Sequence, residues 1–464
     1  MGITAILPGN KLVMRECLMS WLLRFRIQSY IRNSIWFFPA LSIVAGLVTV
    51  ALLTRYERAQ GWEMNVSRET ARAIMGTVAA SMFSLVVLVS SAVLVAVQLA
   101  SAQLTPRIIA MIYRNPMRKF VLAAFVFTFT FSVGLLVRLE GGVPLLTSYL
   151  AAYGFLFNLA LFLYFIDSVG KTLRPSTALR NVALLGRKVI RTVYPRWLNE
   201  KHPGPPGPVK DFKDQPGRII LNAADGVMLA FDLKGLVSLA ERSNCQIELI
   251  PEVGDFVAAG DPLFRIVEGG DEVASDTLRN SVALGQERTI EQDPMFAFRI
   301  MVDIASKALS PAVNDPTTAV LAIDQIDHLL RDVGRRYLAE GWETDSTGQL
   351  RLVYRTPKWE DFVRLAVTEV RQYGSGSIQV MRRLRAMLES LIETLPDQRA
   401  PLLRRELTML ESSAKRTFPD LNDQTLAEIS DLQGIGGSWS EYRLRDQVQT
   451  DRADSIASRS SDAA

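Results

Sequence analysis

The sequence predicts an α-helical membrane bundle of four transmembrane helices, followed by a cytoplasmic α+β region made of a small β module and then a helical domain. Three observations predict it. Long uncharged apolar runs fill the first 170 residues, and most of the charge of a chain that is 22% charged lies after them. Basic residues collect on alternate connections between those runs. Apolar periodicity then changes from helical to alternating between Gly217 and Val267. With 464 residues, 48% of them hydrophobic and so distributed, neither an ordinary soluble protein nor a disordered chain fits. Two cysteines, Cys17 and Cys245, cannot form a disulfide framework or a four-cysteine zinc site. Two histidines, His202 and His328, leave little for a histidine metal centre or a Ser-His-Asp triad. No cofactor is expected.

A basic segment, 1–34, precedes the bundle, 35–170. A spanning helix needs about 20 apolar residues. Four runs qualify: Ile35–Leu53, Ile74–Ala100, Phe120–Val137 and Val143–Ile166. Pro39 and Pro144 fall near run ends, where proline costs a helix least. No ionisable residue lies in the middle of a span, which argues against a proton-coupled pump but leaves room for a passive pore. No cleavable signal peptide is expected. Met19–Tyr30 has the composition of an interfacial helix.

Orientation follows from lysine and arginine on the short flanks. One side holds Lys11, Arg15, Arg24, Arg26 and Arg32, then Arg107, Arg114, Arg118 and Lys119, then Lys171, Arg174, Arg180, Arg187, Lys188 and Arg191. The other holds Arg55, Arg58, Arg68, Arg72 and Arg138, interleaved with Glu57, Glu63, Glu69 and Glu140. Both termini are therefore expected to be cytoplasmic, with the basic flanks against anionic lipid headgroups.

In the second span Thr77, Ser84, Ser91 and Gln98 recur every seven residues, with Ser81 beside them. Seven residues are nearly two helical turns, so these groups form one stripe. Such a stripe lines a hydrated pathway or packs helices together. The fourth span carries a weaker version: Thr147, Ala151, Gly154 and Asn158.

A basic juxtamembrane stretch and a proline/glycine break, His202–Pro208, make up 171–214. The β module, 215–268, alternates Val227, Leu229 and Phe231 with Met228, Ala230 and Asp232, and Cys245, Ile247 and Leu249 with polar neighbours. The turns in Pro251–Val267 resemble those of biotinyl/lipoyl-like barrel-sandwich modules, but no lysine sits in a carrier hairpin. Cys245 reads as a buried small hydrophobe.

The helical domain, 274–435, has two starts of one kind. Asp293-Pro294 precedes Met295–Leu309, and Asp315-Pro316 precedes Thr317–Val333. Aspartate caps exposed amide groups and proline pre-sets φ. Arg288, Thr289, Glu291, Gln292, Asp293, Asn314, Asp315 and Thr317 gather polar groups around these starts. They read as a candidate polar site or as caps and a hydrogen-bonded loop. His328 is expected to pair with Asp324 at one helical turn. Two or three amphipathic helices follow in Trp359–Phe418, broken at Tyr373–Ser377, and the polar tail 436–464 reads as disordered.

Three blocks, QLASAQLTPRII (Gln98–Ile109), the β module and GQERTIEQDPMFAFRIMVDIASKALSPAVNDPTTA (Gly285–Ala319), resemble the bacterial membrane-protein family catalogued as domain of unknown function 2254. The resemblance runs from the first span to about Arg335. It implies a four-span bacterial membrane protein without an established biochemical role and supplies no catalytic residues; the expected location is the bacterial inner membrane.

Three functions remain open to the sequence: a homo-oligomeric pore with a cytoplasmic sensing or gating domain, a membrane-anchored scaffold or signalling partner, and a membrane-bound enzyme. The last ranks lowest, because the sequence offers no nucleophile–base pair, phosphate loop or metal set. Nucleic acid is not expected as a partner, since the basic excess lies beside the spans.

Overall fold

A computed structural model of the chain describes residues 20–109, 114–139, 142–172, 174–200, 216–338 and 341–436. Lys11, Arg15, Cys17, Glu140, the His202–Pro208 break and the tail beyond residue 436 lie outside the described residues. The chain forms two compact units. A membrane unit comprises Gln28–Ala178, and a sheet–helix unit comprises Met1–Ile27 with Leu179–Ala464.

The first helix, α1 (Trp21–Asn33), is followed by four helices long and apolar enough to cross a membrane: α2 (Phe37–Gln60), α3 (Arg68–Gln103), α4 (Pro116–Leu136) and α5 (Leu145–Thr172). Their starts are encoded locally. Ser67 accepts a hydrogen bond from the Thr70 amide at 3.1 Å, and Asn115 accepts one from the Met117 amide at 3.0 Å with Pro116 at the first helical position. α4 is the hub, packed against the other three. The approach of α2 to α4 is close enough to require glycine: a Cβ at Gly46 would meet the Phe127 carbonyl at 3.0 Å, and one at Gly134 would meet Val50 at 2.6 Å. Val50, Met75, Phe131, Leu135 and Ala151 fill the interior. Leu41, Phe83, Leu88, Leu94, Leu156 and Leu163 stay exposed, as lipid-facing side chains should.

The α2–α3 and α4–α5 connections are tied together. The Met64 amide donates to the Val143 carbonyl at 2.8 Å, and Arg58 donates to the Arg138 carbonyl at 2.6 Å. Fully buried Glu57 turns its carboxylate onto the start of α5, accepting from the amides of Leu146 and Thr147 and from the Thr147 hydroxyl. A residue of one span thus caps the helix of another. In sequence Glu57 was only one acid in a connecting segment.

In the sheet–helix unit, helix α6 (Pro175–Val193) buries Leu179, Val182, Ala183 and Ile190, and Arg187 pairs with Asp332 at 2.6 Å. Part of the stretch expected to lie against headgroups is therefore amphipathic and folded onto its own unit. The strands and small helices that follow are β1 (Arg218–Leu221), β2 (Gly226–Phe231), α7 (Leu233–Arg242), β3 (Gln246–Leu249), β4 (Phe256–Val257), β5 (Pro262–Val267), α8 (Ser275–Arg279) and β6 (Val282–Gly285). Two long helices come next, α9 (Pro294–Ala308) and α10 (Pro316–Gly334), then β7 (Trp342–Thr344) and β8 (Leu350–Tyr354). The unit ends with α11 (Trp359–Tyr373), α12 (Ile378–Thr394), α13 (Ala400–Thr417) and α14 (Leu421–Ala427).

A five-stranded sheet runs β1-β5-β3-β8-β7, and a three-stranded sheet runs β4-β2-β6. Strands β6, β7 and β8 come from the segment assigned to the helical domain, so the β module is completed by chain beyond residue 268. β3 and β8 are parallel, with Ile247 opposite Leu352. A parallel pair needs a long crossover, and α9 and α10 supply it. Cys245, 1% exposed, joins Met228, Ile247, Phe264 and Leu352 in the core between strands and α7, as a buried hydrophobe. Leu22 of α1 is buried against Ala230 and Ala283, with Trp21 and Phe25 beside it. This part of the segment read as an interfacial helix is thus packed on protein.

Replacing Glu57 by Ala is expected to cost about 0.5–2 kcal/mol, the range of a lost helix cap, and Gln, whose amide oxygen still accepts, should cost less. Thermal unfolding of the detergent-solubilised variants measures this. An Ala variant as stable as the wild type would contradict the capping role.

Candidate functional site

The eight polar residues singled out around the two Asp-Pro starts separate into two groups. α9 and α10 follow one another, and the Asp315 amide donates to the Ala308 carbonyl at the far end of α9. Asp293 and Asp315 are thus one helix length apart, about 22 Å for fifteen residues at 1.5 Å each. At the α10 end, Asp315 accepts from the Thr318 amide at 3.0 Å and its hydroxyl at 2.5 Å. Asn314 takes φ +48°, a left-handed conformation that Asn tolerates, and Asn314 and Thr317 are exposed. This end is a cap and a turn.

The α9 end is different. Asp293, 2% exposed, accepts from the Phe296 amide at 3.0 Å and forms an ion pair with Arg288. Gln292 pairs with the backbone of Phe231, accepting from its amide at 3.1 Å and donating to its carbonyl at 3.3 Å. Thr289 holds a buried hydroxyl without a hydrogen-bond partner among the described residues, and Glu291 is half-buried. Gln292 and Asp293 line a cleft of about 200 Å³, together with Tyr194, Phe231, Glu252, Tyr354, Arg355 and Thr356.

The cleft lies past the carboxyl ends of β3 and β8, the parallel pair, and against the start of α9. That is where a parallel pair leaves a crevice open, because its connections depart in different directions. Its walls are aromatic: Phe231 and Tyr354 are 5.3 Å apart between ring centres. Buried Tyr194 shares a 3.4 Å hydrogen bond with the Thr356 hydroxyl, and Tyr354 shares one with Glu343.

Burial pushes the Asp293 carboxyl above its ordinary value, opposed by Arg288. Burial also raises Glu252, opposed by Arg355 and reinforced by Asp255, Asp361 and Asp293. Burial raises the Tyr194 and Tyr354 hydroxyls as well, so both remain neutral donors. Asp293 is committed to its cap and to Arg288. The Glu252 carboxylate makes no hydrogen bond among the described residues, which leaves it as the carboxyl group of the cleft able to bind a cation or exchange a proton. Among the described residues, no group of three or more His, Cys, Asp or Glu side chains could hold a metal ion.

His328 does not hold Asp324 by hydrogen bond. Asp324 accepts from Arg383 at 2.6 Å, since the guanidinium of α12 reaches across to α10. Arg299, one turn from Asp303, also makes a two-bond contact with Glu369 at 2.6 and 2.7 Å, joining α9 to α11.

Comparison with known proteins gives the lineage. Residues 32–390 match the family described as Predicted membrane protein (DUF2254). The chain belongs to this family. It is similar to uncharacterized protein Mb1321c of Mycobacterium bovis and uncharacterized protein Rv1290c of Mycobacterium tuberculosis. Each is 26% identical over 427 residues, covering 87% of this chain and 80% of the relative. No solved structure matches the chain.

Sequence reading of this DUF2254 chain found Gln292 and Asp293 but missed Tyr194, Glu252, Tyr354 and Arg355. A signal existed for the last two: Leu350–Tyr354 is a short β-rich run ended by Thr356-Pro357. Glu252 follows β3 directly before a Val-Gly-Asp turn, and only the pairing of β3 with β8 gives that position meaning.

Because folding raises the Glu252 carboxyl above 4.5, the folded state favours its protonated form. The stability it contributes is complete at low pH and is lost as pH rises through the elevated value. Glu252→Gln, a neutral mimic, is expected to raise the midpoint of thermal unfolding near pH 8 and leave it unchanged near pH 4. A variant less stable than wild type at both pH values would contradict the assignment.

Proposed function

We propose that this chain is a channel-like protein of the bacterial inner membrane, assembled from several copies around the second spans. Both termini lie in the cytoplasm, as the basic asymmetry of the flanks favours, and the sheet–helix unit senses a small ligand in its cleft.

The observation that carries the reading is the opposite direction of the two polar stripes. The fourth-span stripe faces inward and is used up in packing. Asn158, 1% exposed, donates to the Thr128 hydroxyl at 2.7 Å, Thr147 bonds Glu57, and Ala151 is buried. In the second span Thr77, Ser84, Ser91 and Gln98 are exposed, Ser81 is half-buried, and the buried face is Met75, Val78, Met82, Val89, Val93 and Ala96. The interior of the bundle is packed, with Val50, Met75, Phe131 and Leu135 buried beside the hydrogen-bonded pair of Asn158 and Thr128, so a polar route would run between copies rather than through one. Gln98 has two donors and an acceptor and no hydrogen-bond partner among the described residues, which favours a polar surround.

One observation favours the second reading, a bundle that only anchors. The Thr77 and Ser84 hydroxyls donate to the carbonyls of Ala73 and Ala80 at 2.9 and 3.0 Å, which lowers the cost of facing lipid. The two readings part experimentally. After Cys17 and Cys245 are replaced by Ser, Ser84→Cys and Ser91→Cys are expected to react with a small water-soluble thiol reagent in membranes. Protection of both positions would contradict the pathway and leave the anchor.

A further inference from the structure

The membrane unit contains a second cavity, a groove of about 370 Å³ framed by the starts of α2 and α4 and the end of α1. One edge is basic: Arg32, Arg114 and Lys119. The wall beneath is apolar: Phe38, Phe120 and Ala123. Among the described residues its lining holds three cations and no acid.

Two of the cations are held in place. Lys119, 5% exposed, donates to the carbonyls of Ile31 and Arg32 at 3.0 and 2.5 Å, in the last turn of α1, where a cation is favoured by the helix dipole. Its ammonium also lies 5.8 Å from the Phe38 ring centre. Arg114 donates to the Asn33 side chain at 2.8 Å. The order of groups along the groove follows the membrane. Lys119 stands in the first turn of α4, Phe120 next to it, and Ala123 one turn deeper into the span. Phe38 lies in the first turn of α2, which starts directly after exposed Trp36, a residue type enriched at membrane interfaces.

We propose that this groove binds one anionic glycerophospholipid, its phosphate on Arg32, Arg114 and Lys119 and an acyl chain along Phe38, Phe120 and Ala123. Charge complementarity selects the occupant. A free phosphate would use the basic edge and leave the apolar wall without a role. A zwitterionic lipid would bring its own cation against three others.

The test uses the full chain, purified in mild detergent and stripped of lipid, with dioleoyl phosphatidylglycerol, dioleoyl phosphatidylcholine and inorganic phosphate as probes. Native mass spectrometry reads the lipid retained per chain. One phosphatidylglycerol per chain is expected, retained about tenfold or more over phosphatidylcholine and not displaced by inorganic phosphate. Arg32→Gln with Arg114→Gln should abolish that preference. Ala123→Trp, which fills the wall and leaves every charge in place, should also lower phosphatidylglycerol retention, and keeps the test open if the double variant does not fold. Equal retention of the two lipids would overturn the proposal. So would displacement by inorganic phosphate with Ala123→Trp behaving as wild type.

Discussion

Hydrocarbon offers no hydrogen bonds, so a polar group that a span carries inward has only the chain itself to answer it, and the Glu57 carboxylate and the Asn158 amide nitrogen are answered in this way. That constraint fixes the membrane unit. The α5 amides at Leu146 and Thr147 are answered by Glu57 from α2, and the Asn158 amide by Thr128 from α4. These contacts set the rotation of α5, and with it the face it shows to the bundle. Close passage at Gly46 and Gly134 draws α2 onto α4. The apolar face of α3 is then needed to close the interior, and its polar stripe is left outside.

The sheet–helix unit obeys the same rule with different partners. Asp293, a buried carboxylate, is held by a backbone amide and a guanidinium, and Gln292 completes the hydrogen bonding of Phe231 at the end of β2. Satisfying these groups seats the start of α9 against the ends of β3 and β8. The cleft is what remains between them, and Glu252 is the acid that the packing leaves unanswered. The cleft is a candidate site because Gln292 and Asp293 are already committed to other partners while Glu252 lines it.

Much of this was legible in the sequence because it is local. The four spans follow from run length, and the Asp293 and Asp315 caps follow from Asp-Pro before an apolar period. The buried setting of Cys245 follows from strand alternation. What was not legible depends on residues far apart in the chain. Glu57 caps a helix that starts 88 residues later, and nothing near Glu57 signals it. Strands β7 and β8 are short, and their pattern gains meaning only beside β3, about a hundred residues earlier. The polar set at Arg288–Thr317 looked like one site because sequence proximity hides the length of the helix between its halves. The basic stretch after α5 looked like a membrane-surface segment because its charge is more visible than its apolar face, Leu179, Val182, Ala183 and Ile190.

In the proposed assembly the outward stripe of α3 meets the same stripe on another copy. Spin labels placed at Ser84→Cys in a chain free of other cysteines, reconstituted into lipid nanodiscs, test that directly by pulsed dipolar spectroscopy. A defined short distance between labels on different copies, lost when labelled chain is diluted with unlabelled chain, is the predicted result. A signal with no dipolar modulation beyond the random background, at any protein-to-lipid ratio, would contradict it.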